Sequence, residues 1–218
     1  MGRTVWFLTG NPGKVKEAAH HLQPLGYDVK QLVVPEGSVI EPQAESLTDV
    51  AMSKIEQAIP FLQHPNDLLL VEDAGLFIEA LDGFPGVYAS YALQTLRCDG
   101  ILRLLSHLGS EDPVQSAGLR KAAFKAVAVM WVNGELLIGN GACPGWIAHE
   151  ITEGEGFGFD PIFVPSDLDE EGEPLPPGTY GAVSTHGATF GGISIEEKQK
   201  FSHRSRALED LLRQLPSA

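Results

Sequence analysis

The apolar positions of the chain change period several times, and each change predicts an element. Val5, Trp6, Phe7 and Leu8 form a short bulky run that suits a buried strand. The period then becomes helical. Val15, Ala18, Ala19 and Leu22 fall on one stripe, with Asn11 placed as N-cap and Pro12 at the first helical position. Residues 27–34 alternate weakly and predict a second strand. Another helical stripe runs through Leu47, Val50, Ala51, Ile55, Ala58 and Ile59 and stops near Pro60, with Lys54 off the stripe. Leu68 to Val71 predict a buried strand running into Glu72 and Asp73, where Ala74-Gly75 permits a turn.

Further on, residues 87–108 predict two helices, the second capped by Asp99, with Ile101, Leu104, Leu105 and Leu108 on its core side and a polar loop after it. "FKAVAVMWV" and "ELLIGNG" flank Asn133-Gly134, the strongest short-range hairpin signal. "GWIAHEI" predicts another strand and "DPIFVP" one more. Ser194 with Glu197 makes a capping box, and Leu208, Leu211, Leu212 and Leu215 give a closing helical stripe. Parallel strands joined through helices, plus a hairpin, predict an α/β fold with a mixed sheet.

Composition narrows the picture. A chain of 218 residues that is 43% hydrophobic can bury one core, so residues 1–218 are expected to form one domain. Residues 166–192 are rich in carboxylates, proline and glycine, and are expected to be a mobile acidic surface loop without chemistry. No apolar run is long enough for a transmembrane helix, and the N-terminal run is too short for a signal peptide. Cys98 and Cys143 are too few for a disulfide framework or a cysteine zinc site. A soluble cytoplasmic protein with no membrane partner is expected. The net charge of -14 argues against a nucleic-acid partner, which makes any clustering of cations informative.

Such clustering occurs where physics disfavours it. Lys14 and Lys16 fall in the first turn of the first helix, beside the positive end of its dipole, so an anion is needed to make the arrangement favourable. The turn "TGNPGK", Thr9 to Lys14, has the strand-turn-helix form that binds phosphate, although it is neither a Walker loop nor GxGxxG. A plain connection with solvated lysines is the alternative. Glu72 and Asp73 end a buried strand; neighbours on a strand face opposite ways, and carboxylates there suit Mg2+. A solvated strand-end pair is the alternative.

In "SIEEKQKFSHRSRALEDLLRQL", one straight helix would set Lys198 and Arg204 about 120° apart. A new helix starting at Ser202 would instead place His203 and Arg204 in a first turn, a second mismatch of cation and dipole. Two mismatches in one acidic chain ask for a shared polyanion. In "GEGFGFDPIF", Phe157 and Phe159 are set among glycines and Asp160 precedes a proline, which suits stacking on a base as well as a core. His20 and His21 diverge on a helix and make no metal pair.

The stretches "TGNPGKVKEA", "LVEDAGLFIEALDGFPGVYASY", "GFGFDPIF" and "EEKQKFSHRSRAL", in this order, closely resemble the inosine triphosphate pyrophosphatase family. The resemblance implies an elongated mixed β-sheet flanked by helices, with two lobes and a central cleft. It implies hydrolysis of noncanonical purine nucleoside triphosphates (ITP, dITP, XTP) to monophosphate and pyrophosphate, with Mg2+ as cofactor and a homodimer as the assembly. By position, Thr9, Gly10, Asn11, Pro12, Gly13 and Lys14 would hold the phosphates, helped by Lys54. Asp73 would be the catalytic carboxylate and a metal ligand, with Glu72 and Ala74 beside it. Glu41 matches the second metal-binding glutamate, with Glu45 as the alternative because one residue is inserted after it. Phe157, Gly158, Phe159 and Asp160 would line the base pocket, with Lys198, His203 and Arg204 donating to it. Phe159 stands where Trp or Tyr is common, and Gly191-Gly192-Ile193 replaces the usual Ala-Glu-Met or Ala-Glu-Leu step. A 6-keto purine would accept from these donors whereas adenine presents an amine, so little use of ATP is expected. A Maf-type pyrimidine nucleotide pyrophosphatase and a non-catalytic nucleotide sensor are the alternatives.

Overall fold

The computed structural model describes residues 3–64, 67–154 and 156–215. Strand β1 (Thr4–Leu8) leads into helix α1 (Pro12–Leu22). Asn11 caps that helix by accepting from the Gly13 amide at 2.8 Å, and Pro12 occupies the position where a missing N–H costs nothing. Strand β2 (Asp28–Leu32), helix α2 (Leu47–Ala58) and strand β3 (Leu68–Ile78) follow. Next come β4 (Pro85–Gly86), the short helices α3 (Ala89–Thr95), α4 (Arg97–Leu104) and α5 (Pro113–Leu119), and the long strands β5 (Lys121–Val132) and β6 (Glu135–Ile147). Strand β7 (Phe163–Pro165) and helices α6 (Ile195–Gln199) and α7 (His203–Leu212) complete the order. No helix among the described residues is long and apolar enough to cross a membrane.

The strands make one mixed sheet in the order β2-β1-β3-β5-β6-β7, with β4 on β3. β1 is parallel to both neighbours, Val5 standing opposite Val29 and Leu68, whereas β4 on β3 and β7 on β6 are antiparallel. Asn133 and Gly134 hold φ of 51° and 97°, the positive values that a two-residue hairpin turn demands.

The residues group into two compact units. The first comprises Met1–Ala74, Ala126–Gly141 and His203–Ala218. Its core takes every second residue of three strands: Val5 and Phe7, Leu68 and Leu70, then Ala126, Ala128, Met130 and Val132. Ala18 and Leu22 of α1 and Ala207, Leu208 and Leu211 of α7 complete it. A Cβ on Gly141 would collide with the His203 carbonyl oxygen and the Ala207 amide nitrogen. Only glycine therefore lets β6 lie directly on the backbone of α7, and this contact sets where the first turn of α7 begins.

The second unit comprises Gly75–Lys125 and Ala142–Ser202, with a core that includes Ile101, Leu105, Ile147, Phe163 and Phe190. Arg120 is only 2% exposed. Its guanidinium donates to the carbonyls of Leu105 (2.7 Å), Ile147 (2.8 Å), Ala148 (2.8 Å) and Leu108 (3.2 Å), which replace the water a buried cation loses. Within the segment expected as an acidic loop, Asp167 is buried and accepts from the amides of Gly181 (3.0 Å) and Thr185 (3.3 Å), while Leu168 bridges to Pro174 and Val183.

Several local expectations are corrected. β3 does not turn at Ala74-Gly75 but continues to Ile78, because β4 pairs with it at Leu76 and Phe77. A Cβ on Gly75 would strike the Gly86 carbonyl oxygen, so this glycine admits a neighbouring strand rather than a turn. "GWI" is the end of β6, which runs unbroken from Glu135, and not a separate strand. The polar stretch after residue 108 contains α5, whose N-cap Asp112 accepts from the amides of Val114 (2.8 Å) and Gln115 (3.2 Å). Asp99 lies inside the first turn of α4 rather than capping it. Leu104 is 43% exposed, because it lies about 100° around the helix from the buried Leu105.

Candidate active site

In the first unit, Glu72 and Asp73 leave β3 on opposite faces and meet different partners. Glu72 is buried, with Lys14 Nζ 3.4 Å from Oε2 and Arg204 Nε 3.1 Å from Oε1. Arg204 Nη1 also lies 3.8 Å from Oε2 of Glu17. Burial by itself would raise the pKa of Glu72, but the lysine and the arginine together outweigh it and hold the group below the usual glutamate value. Glu72 is thus a locked anion with both oxygens committed. The lysine of the first turn of α1 and the arginine of the first turn of α7 converge on it.

Asp73 has the opposite bias. Desolvation raises its pKa; Lys54 opposes this and nearby Glu41 adds to it. Lys54 Nζ lies 3.3 Å from Asp73 Oδ1 and 2.9 Å from Glu41 Oε2. Burial works against the charge of Lys54, yet the two carboxylates prevail and its pKa is raised. Adjacent carboxylates whose environments push them apart, one fixed as an anion and one biased towards binding a proton, form the pattern of an acid/base site.

The same geometry tests a divalent cation. Oxygens of Glu41 and Asp73 already converge on one cationic atom, the Lys54 nitrogen. Among the described residues no three His, Cys, Asp or Glu side chains are grouped as a protein-only metal cage. Two carboxylates, with water and phosphate oxygens making up the rest, are the donor set Mg2+ commonly takes, so these residues fit that ion. Glu41 and Glu45 are both exposed, and it is Glu41 that reaches Lys54.

In the second unit, Asp160 opens a short 3-10 turn before β7. Its Oδ2 accepts from the Phe157 amide at 2.9 Å and from Lys198 Nζ at 2.6 Å. The Lys198 nitrogen also stands 4.9 Å from the ring centroid of Phe157 and 5.2 Å from that of Phe190. Phe157 is 47% exposed, so it can offer a ring to a ligand. Phe159 is 3% exposed and packed in the core with Cys98, Ile162 and Phe163, so the expectation that its ring stacks on a base is not supported by its placement.

A model of the Ham1 family matches residues 5–214. The chain belongs to the Ham1 family. It is 41% identical over 205 residues to the dITP/XTP pyrophosphatase of Thermococcus kodakarensis, covering 94% of this chain and 92% of that protein. It is 34% identical, with the same coverage, to the protein of that name from Pyrococcus horikoshii. The solved structure of a HAM1 protein from Coxiella burnetii superposes with a TM-score of 0.71 at 26% identity, over 96% of each chain. The mixed α/β fold expected from the sequence is that of the Ham1 proteins.

Within this Ham1 chain the other candidate residues are placed as follows. Thr9 Oγ1 accepts from the Asn11 amide at 3.1 Å and Asn11 Oδ1 from the Gly13 amide, so these two side chains shape the turn with their oxygens. Each keeps its own hydrogens for a ligand. Gly10 lies in that turn, Pro12 and Gly13 open α1, and Ala74 follows Asp73 on β3. Gly158 adopts a left-handed φ of 69° between the two phenylalanines. His203 is buried in the first turn of α7. The structure thus groups Lys14, Glu72 and Arg204, then Lys54, Asp73 and Glu41, and separately Phe157, Asp160 and Lys198. Two further contributors are not among the sequence-derived candidates: Glu17, one turn along α1 from Lys14, and Phe190. The i, i+3 spacing of Lys14 and Glu17 was a usable signal for the first; nothing local marked the second.

Proposed function

We propose that this chain hydrolyses noncanonical purine nucleoside triphosphates, dITP, XTP and ITP, to the monophosphate and pyrophosphate. The observation that carries the proposal is the opposite bias of Glu72 and Asp73 beside three cations, in a Ham1 chain whose relatives are named dITP/XTP pyrophosphatases. The α1 N-terminus with Lys14, together with Lys54 and Arg204, supplies positive charge for the phosphates. Asp73 accepts a proton from the attacking water. A bond forms from that oxygen to the α-phosphorus, the bond to the bridging oxygen of the β-phosphate breaks, and pyrophosphate leaves with the electron pair.

Glu72 does not serve as the base on this account, because its ion pairs disfavour protonation; it holds Lys14 and Arg204 in place. Glu41 and Asp73 would hold Mg2+, which when bound supplies further charge neutralisation at the phosphate oxygens. For the base, the Lys198 ammonium is a donor to a 6-keto oxygen and Phe157 offers its ring. The family resemblance further supports a homodimer and a cytoplasmic setting.

The test is product analysis. Incubated with dITP and Mg2+, the protein should release dIMP and pyrophosphate in equal amounts. Release of dIDP and inorganic phosphate would contradict the mechanism, and no hydrolysis at all would leave a nucleotide-binding module.

A further inference from the structure

Lys198 sits on α6, a helix of five residues that holds little stability of its own. A capping box fixes the start of this helix: Glu197 Oε2 accepts from the Ser194 amide at 3.0 Å, and the Glu197 amide donates to Ser194 Oγ at 3.2 Å. Nothing in that box controls the four-carbon stem of Lys198, whose rotamer freedom is among the largest of any side chain. Three groups meet its ammonium instead. Asp160 takes one direction, and the rings of Phe157 and Phe190 take two others.

The two rings differ in kind. Phe157 is half exposed on a glycine-flanked turn, and on the proposed function its face is what a base would engage. Phe190 is 1% exposed and fixed from behind, stacked on Phe124 at 6.2 Å with a 12° interplanar angle and set 5.2 Å from the Phe163 centroid. A ligand that takes the Phe157 ring away from the ammonium therefore leaves Phe190 as its aromatic contact.

We propose that Phe190 is a positioning residue for base selection: its fixed ring, with Asp160, holds the Lys198 ammonium where it can donate to a 6-keto purine. This rests on the assignment of Lys198 as the base donor. A cation over a ring face gains attraction without spending a hydrogen on it, so the ammonium keeps a donor for the base after Asp160 has taken another. Any apolar side chain would fill the core at residue 190, but only an aromatic one supplies that attraction.

The experiment compares Phe190→Leu with Phe124→Leu. Both remove a ring from the same stack, but the cation contact of the ammonium is with Phe190. Phe190→Met, which keeps more volume, replaces Phe190→Leu if that variant does not fold. In F190L the KM for dITP should rise about three- to tenfold with kcat nearly unchanged, and the preference for dITP over dATP should shrink by a similar factor. F124L should lose comparable thermal stability and keep the wild-type preference. Acylation of Lys198, followed by peptide mass spectrometry without nucleotide, should run faster in F190L than in F124L. An unchanged preference in F190L, in a wild type that does prefer dITP, overturns the proposal while the proposed function stands. A wild type with no preference for dITP removes the proposed function, and unchanged Lys198 acylation in F190L then overturns the positioning role as well.

Discussion

Arg204 Nε lies 3.1 Å from Glu72 Oε1, although 132 positions separate the two residues. With Lys14 on the other oxygen, the pair joins the start of α7, the start of α1 and the middle of β3 around one buried charge. Removing the carboxylate leaves two cations without their shared anion. Glu72→Ala should therefore lower the unfolding free energy by about 3–5 kcal/mol, the range for breaking a buried pair. Arg204→Met, which leaves Glu72 its lysine, should cost less. Urea denaturation measures both, and an E72A variant as stable as the wild type would contradict the role given to this charge.

The same group makes stability depend on acid in a defined direction. The folded state lowers the pKa of Glu72 below its ordinary 4.5, so between the two values the unfolded chain binds the extra proton. The stability Glu72 contributes is complete above the unfolded value and is lost as the pH falls through the folded one. The gap in urea midpoint between wild type and Glu72→Gln should therefore be widest above about pH 5 and shrink as the pH is lowered towards 3. A gap independent of pH would show that the charge of Glu72 is not what matters.

The pKa of Asp73 is raised where that of Glu72 is lowered, and on the proposed function Asp73 is the proton acceptor. Asp73→Asn keeps the shape and removes the basicity, so kcat should fall by about 10²–10⁴ while nucleotide binding, followed by calorimetry, persists. Lys54 opposes the rise in the Asp73 pKa, so Lys54→Met should shift the acid limb of kcat to higher pH. A limb that stays in place would detach Asp73 from the rate.

The contact of Gly141 with α7 is a backbone contact, so the smallest addition should disturb it. Gly141→Ala would press a methyl group on the His203 carbonyl and the Ala207 amide. A loss of about 1–3 kcal/mol is expected from overpacking, with activity reduced because Arg204 starts from the displaced turn. Thermal melts and kcat in parallel test this, and full stability would mean that the helix moves aside without cost.

How much of this was legible beforehand follows from where each force acts. The helix starts at Asn11 and Ser194 and the hairpin at Asn133-Gly134 depend on neighbours within four residues, and they stand where the pattern placed them. Lys14 and Arg204 were conspicuous because a cation beside a helix N-terminus conflicts with its dipole whatever lies further off. Gly75 suggested a turn and Gly141 carried no local signal, because the strand and the helix that need these glycines come from elsewhere in the chain. Phe159 and Phe157 look alike in "GFGFD", yet one is core and the other half exposed, because burial depends on Ile162, Phe163 and Cys98 around Phe159. Phe190 became relevant only through a lysine eight positions later on another element. The fold class and most of the charged residues could thus be read from local conflict, whereas partners fixed by tertiary packing could not.

The measurement closest to the central claim is pyrophosphate release with Mg2+ from dITP, XTP and ITP, set against ATP, GTP and dTTP at equal concentration. The three noncanonical purines should be hydrolysed at least about 10²-fold faster than ATP, the discrimination available to a site that hydrogen-bonds a keto oxygen. Turnover of ATP at the rate of dITP, or a preference for dTTP, would contradict it.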